Sequence, residues 1–221
     1  MKVTIDGPAG SGKSTVAKEV SRRLGFPYLN TGLLYRAFAY MCMSEGLKGE
    51  EVLKVFEKPI KVRLDIATTE VFYGGEEIGQ KLGSEEVGSI ASQIATLPAF
   101  RERINQFFRG LVGEMQAVIE GRDAGTHIFP DAELKIFLTA SAEERARRRW
   151  EQLRLEGIEV DYQEILRAIL ERDERDKNRP IYPFKPAEDA VLIDTTQMGI
   201  GEVVEKVLEL IKERVLNGGL K

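Results

Sequence analysis

A parallel β-sheet covered by helices on both faces is the α/β fold the sequence predicts, and three observations predict it. Short apolar runs at 2–6, 28–30, 117–119, 134–138 and 190–193 are separated by stretches of helical period, the pattern of strands buried on both sides. A glycine-rich loop, Gly7-Pro8-Ala9-Gly10-Ser11-Gly12-Lys13-Ser14, joins the first run to the first helix. The period drops to two only between 60 and 78, which marks a small antiparallel insertion rather than more of the same sheet.

Each element has a local reason. Residues 14–24 place Val16, Ala17, Val20 and Leu24 on one helix face, directly after the loop. Thr31 is expected to cap a second helix to about residue 44, with Leu34, Ala37, Phe38 and Met41 inward. A short helix at 48–56 stops at Pro59. In the insertion Ile60, Val62, Leu64 and Ile66 alternate with polar neighbours, and Val71-Phe72-Tyr73 turns through Gly74-Gly75 into Glu76-Glu77-Ile78. Helical period returns at 85–96 through Val87, Ile90, Ala91 and Ile94, and again at 99–113 after Pro98. Ser141 and Glu144 have the spacing of a capping box for a helix over 141–156; a second follows at 161–178, then Pro180, Pro183 and Pro186. The last helix, about 201–216, ends at Asn217-Gly218-Gly219.

With 221 residues the chain fits one unit with a real core and no need of disulfides. Lys plus Arg number 32 against 36 Asp plus Glu, a net charge of −4 that argues against any general grip on nucleic acid or an anionic membrane. The one cysteine, Cys42, lies in an apolar run and reads as a buried thiol in a reducing compartment. No apolar stretch approaches the roughly 20 residues of a membrane span, and the first strand begins at once, so the expected location is the cytoplasm.

The loop carries the clearest chemistry. Its glycines let backbone N–H groups converge on one concavity, Lys13 brings a positive charge to the β and γ phosphates, and the Ser14 hydroxyl can ligate magnesium. Gly7 through Ser14, with Thr15 in the first helical turn, therefore form the expected ATP site. Arginines cluster where phosphoryl transfer wants them: Arg36, Arg122, the run Arg145, Arg147, Arg148 and Arg149, and Arg172, Arg175 and Arg179. Glu143, Glu144 and Glu151 leave open that the 145–149 run is only a solvated helix face. By themselves these features fit a kinase for any of several acceptors, including UMP, AMP or a small alcohol, and also a nucleotide-dependent switch. A switch needs no second arginine cluster, and the guanine-reading Asn-Lys-x-Asp motif does not occur.

Five segments together resemble the bacterial cytidylate kinases. They are 5–14, Thr31-Gly32-Leu33-Leu34-Tyr35-Arg36, Ala91-Ser92-Gln93-Ile94-Ala95, Glu120-Gly121-Arg122-Asp123-Ala124-Gly125-Thr126 and the 171–179 segment from Glu171 to Arg179. The resemblance spans nearly the whole chain and implies a P-loop NTPase fold of the nucleoside monophosphate kinase kind, one unit over 1–221. Within it the implied core is 1–30, 114–143 and 161–221. The implied monophosphate-binding region is 31–113, with the insertion near 60–90, and the lid is 144–160. It implies direct transfer of the γ-phosphoryl of ATP to CMP or dCMP with Mg2+; a monomer is expected. Carried over by position, Thr31, Arg36, Arg122 and Arg172 contact the acceptor phosphate, with Lys13, Arg122 and Arg172 catalytic. Asp176 contacts the ribose. Ser92, Arg101 and Asp123 read cytosine, and Arg179 braces Asp123. Asn30, Leu33 and Gly83 depart from the family, which often has Asp, Ala and Arg there. His127, the lone histidine, reads as structural.

Overall fold

The computed structural model describes residues 1–178 and 182–217. In chain order the elements are β1 (Lys2–Asp6), α1 (Lys13–Leu24), β2 (Tyr28–Asn30), α2 (Thr31–Ser44) and a 3-10 segment at Gly49–Glu57. Next come β3 (Ile60–Asp65), β4 (Thr68–Tyr73), β5 (Glu76–Glu77), a 3-10 turn at Gly79–Gly83, α3 (Glu85–Ile94) and α4 (Pro98–Val112). Then follow β6 (Ala117–Gly121), a π turn at Ala124–Ile128, β7 (Leu134–Thr139), α5 (Ala142–Leu155), α6 (Tyr162–Lys177), β8 (Val191–Asp194) and α7 (Ile200–Asn217).

Five strands form one parallel sheet in the order β2-β6-β1-β7-β8, and β3-β4-β5 form a separate antiparallel sheet. Period-two burial sends alternate residues to opposite faces. Val3, Ile5, Val118 and Ile136 pack with Val16 and Val20 of α1 and with Val204 and Val207 of α7. Ala117 and Ile119 pack the other way, with Leu34, Phe38 and Met41 of α2 and Phe100, Ile104 and Phe108 of α4. Parallel register brings the carboxyl ends of β1 and β6 side by side, with Ile5 opposite Glu120 and Asp6 opposite Gly121. Ligands of such sheets gather at that edge.

The small sheet is fastened to this core. Thr69 Oγ1 donates to Tyr28 O (2.7 Å) and accepts from Asn30 N (3.0 Å), and Val71, Ile78 and Leu82 share the core beneath α2. Three local expectations change. Asn30, not Thr31, caps α2: its Oδ1 accepts from Leu33 N at 2.9 Å, while Thr31 Oγ1 turns to Glu120 O at 2.9 Å. The short helix after α2 is a 3-10 segment confined between Gly49 and Pro59. The capping box at α5 is half made, because Ser141 Oγ accepts from Glu144 N but the Glu144 carboxylate takes Arg147 and Arg148 instead. Among the described residues no helix is long and apolar enough to cross a membrane.

Candidate active site

The loop between β1 and α1 is shaped by what surrounds it. A Cβ at Gly7 would lie 2.3 Å from Leu138 O, and one at Gly10 would lie 3.0 Å from Arg145 Cβ, so neither place admits a side chain. Gly12, at φ +85°, makes the left-handed turn into α1. Ser11 Oγ and Lys13 Nζ both donate to Pro8 O, at 3.0 and 3.2 Å. Burial draws the Lys13 ammonium down to about 8; Glu120 opposes that shift, and Arg122 and Arg172 add to it. These residues, far apart in sequence, therefore share one electrostatic neighbourhood.

Behind the loop, two carboxylates organise the sheet edge. Glu120 accepts from Ser14 Oγ at 2.5 Å and from the buried Tyr28 hydroxyl, whose pKa is held far above its usual range by burial and by Glu120 itself. Asp6 accepts from Gly125 N at 2.8 Å and Ala124 N at 2.9 Å; burial nonetheless pushes its carboxyl up to about 7. Together they tie the phosphate loop to the turn that carries Arg122 and Asp123.

On the far side of that turn stand the other cations. Arg36 donates to Leu82 O (2.8 Å) and Ser84 O (3.2 Å), its guanidinium lying where a Cβ on Gly88 would be. Arg101, 3% exposed, is paired with Asp123, and Arg122 is paired with the buried Asp176. His127 Nδ1 lies 3.5 Å from Asp123 and 2.8 Å from Thr126 Oγ1. Ser92 is exposed on α3, whose following residue Ala95 offers its carbonyl to Arg101 at 3.4 Å. Arg179 lies outside the described residues.

The arginine run on α5 divides by face. Arg145, 4% exposed, donates to Ala9 O of the loop (3.2 Å), to Ala140 O, and with both terminal nitrogens to Asp173. Arg148 donates to Thr195 O at 2.6 Å, and Thr195 Oγ1 reaches Ser11 O at 3.4 Å. Arg147 and Arg149 instead meet Glu144, Glu151 and Gln152 in solvent. The solvated-face reading thus holds for half the run. The supporting roles of Asp6, Glu120, Tyr28 and Thr195 were not read from sequence. For Asp6 and Glu120 the signal was present, as acids at the last turn of neighbouring parallel strands.

A glycine-rich loop with its lysine at the carboxyl edge of a parallel sheet, with arginines gathered beyond it, has the form of a P-loop kinase. The sequence model of cytidylate kinase matches residues 3–213. The chain is 54% identical over 215 residues to a cytidylate kinase of Aquifex aeolicus (strain VF5), covering 97% of each. It is 44% identical over 215 residues to one of Thermotoga neapolitana, covering 97% of this chain and 98% of that one. A crystal structure of an uncharacterized protein from Eubacterium ventriosum ATCC 27560 matches with TM-score 0.54 at 15% identity over 96% of this chain and 98% of that one, a likeness of fold alone. The chain belongs to the cytidylate kinase family, and it is a nucleoside monophosphate kinase that phosphorylates CMP with ATP.

Proposed function

We propose that the loop holds the phosphates of ATP, that the facing arginines hold the acceptor CMP or dCMP, and that the γ-phosphoryl passes between them in line. The observation that carries this reading is the sheet edge at which the phosphate loop, tied through Ser14 to Glu120, meets the turn bearing Arg122, itself paired with Asp176 of α6. Phosphoryl transfer spreads negative charge over the moving group, and such fixed cations stabilise it without a covalent intermediate. The acceptor phosphate is already an anionic nucleophile, so alignment replaces strong base catalysis.

In this reading Thr31, Arg36, Arg122 and Arg172 bind the acceptor phosphate. Asp123 accepts from the cytosine amino group, Arg101 and Ser92 donate to its ring acceptors, and Asp176 takes the ribose. Substrate then exchanges with the carboxylates that hold Arg101 and Arg122 in its absence. Region 31–113 is the acceptor-binding part and 144–160 a lid whose closure excludes water. Its root is fixed by Arg145 and Arg148, so closure bends beyond them.

Mg2+ fits the oxygen set at the loop, where the Ser14 hydroxyl lies against Glu120. When bound, it neutralises charge on the β and γ oxygens. A reducing, cytoplasmic setting agrees with the buried Cys42 thiol, raised to about 11 by burial.

The test is an acceptor panel in a coupled ADP-release assay with CMP, dCMP, UMP, AMP and cytidine. CMP and dCMP are expected to turn over fastest, UMP more slowly and cytidine not at all. Equal rates for CMP and AMP would overturn the assignment of the pocket.

A further inference from the structure

Tyr182 is one of two non-glycine residues with positive φ among those described, at +58°, a backbone conformation L residues seldom adopt. That turn delivers its ring into the base-reading cluster. The Arg101 Cζ lies 4.6 Å from the ring centroid, and the His127 ring meets it edge to face, also at 4.6 Å and at 85°. Both neighbours also touch Asp123. Two residues on, Phe184 anchors the chain: its ring packs on Phe137 (5.3 Å) and near Arg122 (5.7 Å), and its N–H donates to Asp176 O at 3.0 Å.

We propose that Tyr182 is a further substrate-binding residue, the aromatic wall on which the pyrimidine ring of the acceptor stacks. The inference rests on the reading of Arg101 and Asp123 as the groups that meet the base edge. A base held by a guanidinium fork and a carboxylate lies close to their common plane. Arg101 Cζ lies over the phenol ring at 4.6 Å, which puts the ring within reach of a base bound at that guanidinium. Edge contacts choose the base, whereas a stack on its face adds affinity for any pyrimidine.

The experiment measures CMP affinity by titration calorimetry on the whole enzyme, and steady-state kinetics with CMP and UMP, for wild type, Tyr182→Phe, Tyr182→Leu and Tyr182→Ala. Tyr182→Phe should bind CMP within about twofold of wild type, because the ring is kept. Tyr182→Leu and Tyr182→Ala should weaken CMP about tenfold, the scale of one base–aromatic stack. The kcat and the KM for ATP should stay within about twofold, and the CMP to UMP ratio of kcat/KM should not move, since a face contact does not tell the edges apart. Leucine keeps an apolar side chain in place, so a folding failure of the alanine variant leaves the test intact. Unchanged CMP affinity in Tyr182→Leu would remove the wall. Tighter binding would make the ring a plug, and a parallel rise in the KM for ATP would make it a structural strap; either overturns the proposal. Asp123→Asn run alongside separates the two readings. A ratio unmoved by Asp123→Asn defeats the edge assignment, whereas a moved ratio with full CMP affinity in Tyr182→Leu defeats only the stack.

Discussion

The donor and acceptor ends of this site both gather positive charge, but they hold it differently. At the donor end one contiguous loop supplies backbone N–H groups and a single ammonium, braced by Arg145 on Ala9 O and by Thr195 on Ser11 O. At the acceptor end the cations come from four separate segments: Arg36 on α2, Arg101 on α4, Arg122 after β6 and Arg172 on α6. Two of these are already bound to carboxylates, Arg101 to Asp123 and Arg122 to Asp176. Backbone dipoles cost little to keep poised, whereas a half-buried guanidinium without a partner is expensive. On the proposed reading the acceptor pocket keeps Arg101 and Arg122 in internal pairs, and substrate must offer as much as those pairs give. That exchange turns binding into discrimination.

The largest expected effect is at the donor end. Lys13→Met should lower kcat by about a thousandfold, the scale of removing one preorganised stabiliser of transition-state charge. The midpoint of thermal unfolding should not fall, because burial lowers the Lys13 pKa to about 8 and so disfavours the charged form in the fold, a cost that methionine removes. Near-normal turnover, read in the coupled assay, would erase the distinction between the two ends.

Next comes the acceptor end. Arg122→Lys keeps charge but loses the planar fork, so kcat/KM for CMP should fall by about ten- to a hundredfold while the KM for ATP stays near wild type. Equal losses for both substrates would assign Arg122 to the donor.

The smallest effect contrasts the two faces of α5. Arg147→Ala removes only solvent-exposed pairs with Glu144 and Glu151. Solvent screens such pairs, so the midpoint in a thermal scan should drop by no more than about 4 °C, with turnover unchanged. A loss of turnover would place Arg147 at the moving phosphoryl.

How far sequence alone reached follows the same division. The loop was legible because its function lies in consecutive residues whose backbone must curl, and the strand–loop–helix context fixes where the anion sits. All strands of the parallel sheet were legible too, since burial on both faces leaves nearly continuous apolar runs such as Leu134–Thr139. From its residues alone the acceptor side was legible as a list of arginines, to which the resemblance added Thr31, Ser92, Asp123 and Asp176; which carboxylate each arginine meets depends on how α4, α6 and the turn after β6 converge. Thr31 shows the limit at short range. A threonine before a helix reads as its cap, yet the parallel pairing of β2 with β6 draws its hydroxyl to Glu120 O and leaves the capping to Asn30. Tyr182 gave no sequence signal at all, because its placement depends on one left-handed backbone angle.

The measurement that bears most directly on the exchange of internal pairs for substrate is the CMP to UMP ratio of kcat/KM, with ATP and magnesium saturating, in wild type and Asp123→Asn. On the proposed reading the carboxylate accepts from the cytosine amino group and would face an oxygen in uracil, so wild type should favour CMP by about ten- to a hundredfold. Asp123→Asn, which offers a donor instead, should narrow that gap chiefly by losing activity on CMP. An unchanged ratio would mean that Asp123 serves only to hold Arg101, and would contradict the claim that the acceptor pocket selects its base by trading one partner of that pair for another.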